Sequence, residues 1–153
     1  MVCRKLLLEK EKNSQSLIWL FDYSVIWQTV MYTYSFEKLE VWIEAKEFAK
    51  LLYKITIDFP DAEKFGLTSQ LRRATVSISS NIAEGSARRS FKDKAHFTTI
   101  AFGSAVEVLN QLILSYEIGF ISSEQYYDLR IKLESITTKL NALRNYQIQQ
   151  ITK

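Results

Sequence analysis

The sequence predicts an all-α fold, with four long helices packed as a bundle. Three observations carry this. Only four glycines and one proline interrupt 153 residues, and so few breakers favour long helices over a many-turned β fold. Apolar residues recur at alternating threes and fours through three separate stretches, the spacing of one helical face. In a fourth stretch Tyr126, Leu129, Leu133, Ile136, Leu140 and Leu143 keep a seven-residue repeat, which favours left-handed bundle packing. An apolar fraction of 47% and a charged fraction of 24% are those of a soluble globular protein. The length suits one domain with a sizeable core.

Residues 1–34 stand apart as an atypical N-terminal extension. Asp22 is the only charged side chain from Ser14 to Tyr34, between the apolar runs Leu17–Phe21 and Val25–Trp27. Glu9, Glu11 and Asp22 argue against a secretory signal, and Asp22 would be costly inside a membrane span. No membrane association is expected. Met31 is the expected natural start of translation, so the first thirty residues are expected to be non-native. Cys3 is the only cysteine, which rules out an internal disulfide framework and fits a reducing cytoplasm.

The bundle domain is expected over 35–149. The first helix is expected from Glu37 to Asp58, with Ser35 as a candidate cap and Leu39, Trp42, Ala45, Ala49, Leu52 and Thr56 on its inner face. Pro60 disfavours helical geometry at Phe59. Thr68 is a candidate N-cap for the second helix. There Leu71, Thr75, Ile78 and Ile82 form a core face. Ser77, Asn81 and Glu84 form a polar stripe beside it, which is either a solvated flank or a satisfied seam between helices or subunits. Gly85 stands where a left-handed C-cap would end the helix. Ser90, with Asp93 three residues on, opens the third helix, Phe91 to Ile118. Its two apolar stripes imply burial against more than one neighbour. Gly103, Ser104 and Ala105 would permit close helix approach. Gly119 caps that helix, and Ser122 with Gln125 opens the fourth as a capping box. The polar end from Tyr146 is expected to fray, with 150–153 as a tail.

Positive charge is concentrated in the middle of the chain. Lys64 to Lys94 holds seven cations against Glu84 and Asp93, a local balance of +5 in a chain whose net charge is +3. Arg72, Arg73, Arg88, Arg89, Lys92 and Lys94 are the candidate phosphate contacts.

The stretch RRATVSISSNIAEGSARRS also resembles the signature of a bacterial four-helix-bundle family encoded in intervening sequences of 23S rRNA genes. Arg72, Arg73, Ala74, Ser77, Ile78, Asn81, Ile82, Ala83, Glu84, Gly85 and Arg88 carry the likeness. Leu39, Val41, Trp42, Phe59–Pro60 and Glu63 to Leu67 extend it upstream; Ala101, Gly103, Ser104, Glu107 and Leu112 extend it downstream. The resemblance covers roughly Phe36 to Tyr146. It implies an antiparallel up-and-down four-helix bundle assembled as a ring, a homopentamer, with no catalytic activity. Relatives in diversity-generating retroelements are accessory proteins that bind nucleic acid and a reverse transcriptase, so both are expected partners. Structured RNA is the favoured ligand.

The residues offer no competing chemistry. A di-metal carboxylate bundle needs Glu-x-x-His on two helices, and His96 is the only histidine. No Gly-x-Ser-x-Gly elbow, P-loop or dinucleotide fingerprint is present. Glu84 and Glu107 are expected to face each other across helices two and three as packing partners rather than as an acid–base pair. The expectation is therefore a non-enzymatic, cofactor-free, cytoplasmic protein. The alternative is a structural or protein-interaction module in which the arginines are neutralised by acids such as Glu84 and Glu107.

Overall fold

The computed structural model describes residues 32–151. The expectations for residues 1–31 and for the last two residues lie outside the described residues. The residues from Tyr34 onward form one compact unit, the bundle.

Four α-helices build that unit: α1 (Glu40–Ile55), α2 (Leu67–Ser86), α3 (Phe91–Ile118) and α4 (Ser123–Ile151). Short 3-10 turns at Ser35–Lys38 and Asp61–Glu63 precede α1 and α2. Each helix packs on the next, and α4 returns to α1. The connections are short, so neighbours run antiparallel in up-and-down order. Leu52, Leu71, Ile78, Val108, Leu112, Leu129, Leu133, Ile136 and Leu140 fill the core. Leu71, Thr75, Ile78 and Ile82 are all buried, as their spacing predicts. Except for the half-buried Leu143, so is the whole heptad series of α4. By length and composition α3 would suit a membrane span; here Ala101, Ala105, Val108 and Leu112 are core against α2 and α4.

The boundaries of α3 fall where its periodicity and caps put them. Ser90 Oγ accepts from Asp93 N–H at 3.0 Å, and Gly119 ends the helix at φ 87°, which favours glycine. The Ser122–Gln125 capping box is complete. Gln125 N–H donates to Ser122 Oγ at 3.1 Å, and Ser122 N–H donates to Gln125 Oε1 at 2.8 Å.

Several boundaries differ from the sequence reading. α1 is shorter than expected because Leu39 is extended and separates the 3-10 turn from the helix. Within that turn Tyr34, not Ser35, is the cap residue, and its N–H donates to Glu37 Oε1 at 2.8 Å. At the other end Thr56 turns its hydroxyl back onto Leu52 O at 2.8 Å. Thr68 does not cap α2. Glu63 reaches forward instead, its carboxylate accepting from Leu67 N–H at 2.9 Å, while the Thr68 hydroxyl is buried without a partner among the described residues. α4 does not fray at Tyr146. It continues through Ile151, held by buried Gln147, whose Oε1 accepts from Thr98 Oγ1 at 2.8 Å.

Gly85 is not a C-cap. It lies inside α2 and is buried, and the cap is Ala87 in right-handed geometry. Its role is proximity. A Cβ at Gly85 would come within 2.8 Å of Phe97 Cβ and 3.5 Å of Lys94 O. The missing side chain lets the end of α2 lie directly on the first turns of α3. Gly103 behaves in the opposite way, since a Cβ there would meet nothing within 4 Å, so it mediates no helix approach among the described residues.

The helices differ in length. At 1.5 Å per residue α1 spans about 24 Å, whereas α3 and α4 exceed about 40 Å. Lys139, midway along α4, pairs with both Glu40 and Glu44 at the start of α1, each at 2.5 Å. The last dozen or so residues of α4 therefore run on past α1, beside the first turns of α3. Away from that end, α1 and α4 leave a cleft of about 350 Å³ floored by Phe48, Leu51, Ile131 and Ile136.

Candidate nucleic-acid interface

Close packing of Gly85 on Phe97 fixes where the α2–α3 turn emerges. Ala87 to Ser90 form that turn, and Ser90 starts α3. Arg88 and Arg89 sit in it, and Lys92 and Lys94 lie on the first turn of α3. Arg89 and Lys92 are exposed and make no hydrogen bond, ion pair or ring contact among the described residues. Lys94 holds its ammonium 5.2 Å from the centre of the Phe91 ring. Arg88 is ion-paired to Glu84 and lies over the Phe97 ring at 4.5 Å. Asp93, the other nearby acid, is engaged by the Ser90 hydroxyl at 2.6 Å.

Arg72 and Arg73 belong elsewhere. Arg73 lies 13 residues before Ser86, the last residue of α2, about 20 Å along the helix axis from the turn, so the cluster that is dense in sequence divides in two. Arg72 turns inward onto α1. Its Nε donates to Thr56 Oγ1 at 2.7 Å, Nη2 donates to Tyr53 O at 3.4 Å, and the guanidinium stands 4.9 Å over the Tyr53 ring. This is a helix–helix tie. Arg73, beside it, is exposed and has no partner among the described residues.

The polar seam also divides. Ser77 and Ser104 meet across α2 and α3, Oγ to Oγ, at 2.9 Å. Asn81 Nδ2 donates to Ser77 Oγ at 3.0 Å and to Ser77 O at 2.8 Å. Ser104 Oγ donates to Ile100 O at 3.1 Å. With Ser77 as donor to Ser104, every hydroxyl hydrogen is used once, in one direction from Asn81 to the α3 backbone. Glu84 and Glu107 are outside this chain and do not face each other. Ser77 lies level with Ser104 and Gly85 with Phe97, so Glu107 sits about ten residues of α2 away from Glu84. Glu84 instead binds Arg88, and Glu107 Oε1 accepts from Gln111 Nε2 at 3.1 Å.

The antiparallel return of α4 brings Tyr146 to the basic end and lays Arg144 on α3 about three turns further in. Arg144 holds its guanidinium 5.6 Å over Phe102. Tyr146 meets Phe91 edge to face, with ring centres 6.3 Å apart and planes at 81°. The sequence reading missed both, because each is isolated in a polar segment some fifty residues from the arginines. The available signal was the tight Gly119–Ser122 connection, which lays the end of α4 against the start of α3. Among the described residues no group of three or more His, Cys, Asp or Glu is arranged to hold a metal ion. His96 is exposed and packs edge-on against Phe97.

Residues 37–142 match the family model of the 23S rRNA-intervening sequence protein. The chain belongs to this family. Its fold is shared with a crystal structure of a protein of unknown function from the S23 ribosomal protein family of Bacteroides thetaiotaomicron. The two superpose with a TM-score of 0.64 at 24% identity, covering 69% of this chain and 95% of that one. No curated protein matches the chain. The family match includes the α2–α3 turn and stops short of Arg144 and Tyr146.

Proposed function

We propose that this family member is a non-enzymatic, cytoplasmic nucleic-acid-binding protein. It binds structured RNA through the basic end of the bundle and acts as a homo-oligomer, a pentameric ring. One observation carries the reading: Arg89 in the α2–α3 turn and Lys92 in the first turn of α3 are exposed without an acidic partner among the described residues, while Lys94, and Arg88 with its Glu84 pair, stand over aromatic rings near them. Cations held on rings retain their charge and are pre-positioned, which lowers the ordering cost of contacting phosphates. A ring would repeat this end around its axis, so that weak contacts add by avidity.

Titration of the purified protein with a stem-loop RNA across a salt series tests this. Log affinity should fall linearly with log salt, with a slope set by the phosphates contacted. Arg89→Ala combined with Lys92→Ala should weaken binding and flatten the slope by about two, with assembly unchanged by light scattering. The absence of binding at low salt would overturn the reading. A mass equal to one chain would overturn the oligomer.

A further inference from the structure

Tyr146 sits near the cations proposed to contact phosphate but carries no charge of its own. Its side chain is 55% exposed, and its hydroxyl has no hydrogen-bond partner among the described residues. The perpendicular contact with Phe91 occupies at most one face of the tyrosine ring. Phe91 in turn carries the Lys94 ammonium, 5.2 Å from its ring centre. Lys92, exposed and unpaired, follows Phe91 directly. The result is an aromatic ring with an open face, braced by a second ring and flanked by positive charge. That combination recurs where proteins hold unpaired nucleotides, because a base offers a π-face whatever its sequence and the backbone beside it needs cations. A fully paired duplex keeps its bases stacked inside and gives such a ring nothing to stack on.

We infer that Tyr146 is a stacking platform for an unpaired base, so that the ligand is RNA with a single-stranded loop or end rather than continuous duplex. The inference rests on the nucleic-acid reading above and adds the specificity that charge alone cannot supply. Tyr146 lies beyond the last residue of the family match.

The test compares two RNA probes with the full-length protein: a stem carrying an unpaired loop, and a blunt duplex of the same stem. Wild type should prefer the loop RNA. Tyr146→Ala should weaken loop binding by about tenfold, as expected for loss of one base–aromatic stack, and change duplex binding by less than about twofold. Tyr146→Phe should bind as wild type does. Circular dichroism and a thermal melt of each variant show that α4 remains folded. Equal loss on both probes, or no loss on either, would overturn the stacking role while leaving the phosphate reading intact. Absence of binding by wild type to both probes would overturn the two together.

Discussion

Gly85 of α2 rests against Phe97 of α3 so closely that a methyl group on the glycine would lie 2.8 Å from the phenylalanine Cβ. A Cβ is fixed to its own backbone and cannot swing aside. Alanine at a helical position gains about 1 kcal/mol over glycine, but overpacking a tight contact costs about 1–3 kcal/mol. Gly85→Ala should therefore lower stability by about 1 kcal/mol and shift Arg88, whose guanidinium sits on the Phe97 ring. Gly103→Ala should do the reverse. Its Cβ would enter open space, and the helix should gain about 0.5–1 kcal/mol. Urea unfolding of the two variants side by side reads the opposite signs.

The two arginines on either side of the split cluster should separate stability from binding. Arg72→Ala removes the donor to Thr56 and the stack on Tyr53. It should cost about 1–2 kcal/mol of stability and leave RNA affinity within about twofold. Arg72→Lys should not restore it, because an ammonium lacks the planar, forked geometry of guanidinium. Arg89→Ala should leave the melting temperature unchanged and weaken RNA binding. Thermal melts and RNA titrations of the three variants check the pattern.

The hydroxyl chain from Asn81 through Ser77 to Ser104 should behave as a coupled unit. Ser104 is buried, so Ser104→Ala strands the Ser77 hydroxyl and should cost about 1 kcal/mol. Ser77→Ala should cost a similar amount. The double variant should cost less than the two losses added, since removing both hydroxyls leaves fewer unpaired groups. A double-mutant cycle in urea gives the coupling directly, and strict additivity would show that the two serines do not interact.

Lys139 should set part of the alkaline limit of stability. Its hydrogen bonds to Glu40 first, and to Glu44 second, hold its pKa above the ordinary lysine value, with desolvation opposing them. A raised folded-state pKa contributes stability that is fully present below the unfolded pKa, about 10.4. It is lost as pH rises through the folded value. Glu47 works at the acid end. Its hydrogen bond from Lys50 lowers its pKa, so its contribution is present above about pH 4.3 and lost below it. Urea midpoints measured against pH should show a wild-type decline above about pH 10 that is smaller in Lys139→Gln. Because these side chains are at the surface, added salt should reduce both effects.

The elements of this fold were legible wherever the controlling interaction is local. Ser90 with Asp93, Ser122 with Gln125 and Gly119 each act within one helical turn, so their spacing alone gives the ends of α3 and the start of α4. The heptad of α4 was legible because bundle packing repeats it. What could not be read depends on a neighbour distant in sequence. Gly85 is a glycine because Phe97 is there, not because a helix stops. The start of α2 is the exception: the group that caps Leu67 is local, Glu63 four residues before it, but Thr68 offered a more conventional cap residue and is instead buried with no hydroxyl partner among the described residues. The basic cluster was legible as charge but not as a site. Its apparent density counts residues along a rod, and the rod carries Arg72 and Arg73 about 20 Å from the turn. Tyr146 joins the turn's surroundings only once α3 and α4 are laid side by side.

The unequal helix lengths have a consequence for how the molecule comes apart. Beyond the Lys139 pairing with α1, the end of α4 and the start of α3 are buttressed by fewer partners than the middle of the bundle. Amide protons there should exchange by sub-global opening, at a lower free energy than those of the central layers. The proposed RNA-binding groups sit on this less protected end. Ligand binding should therefore slow exchange at Phe91–Thr98 and at Arg144–Gln147 more than in α1. Occupancy of the basic end would be written into the molecule as a local gain of cooperativity, with the rest of the core unchanged.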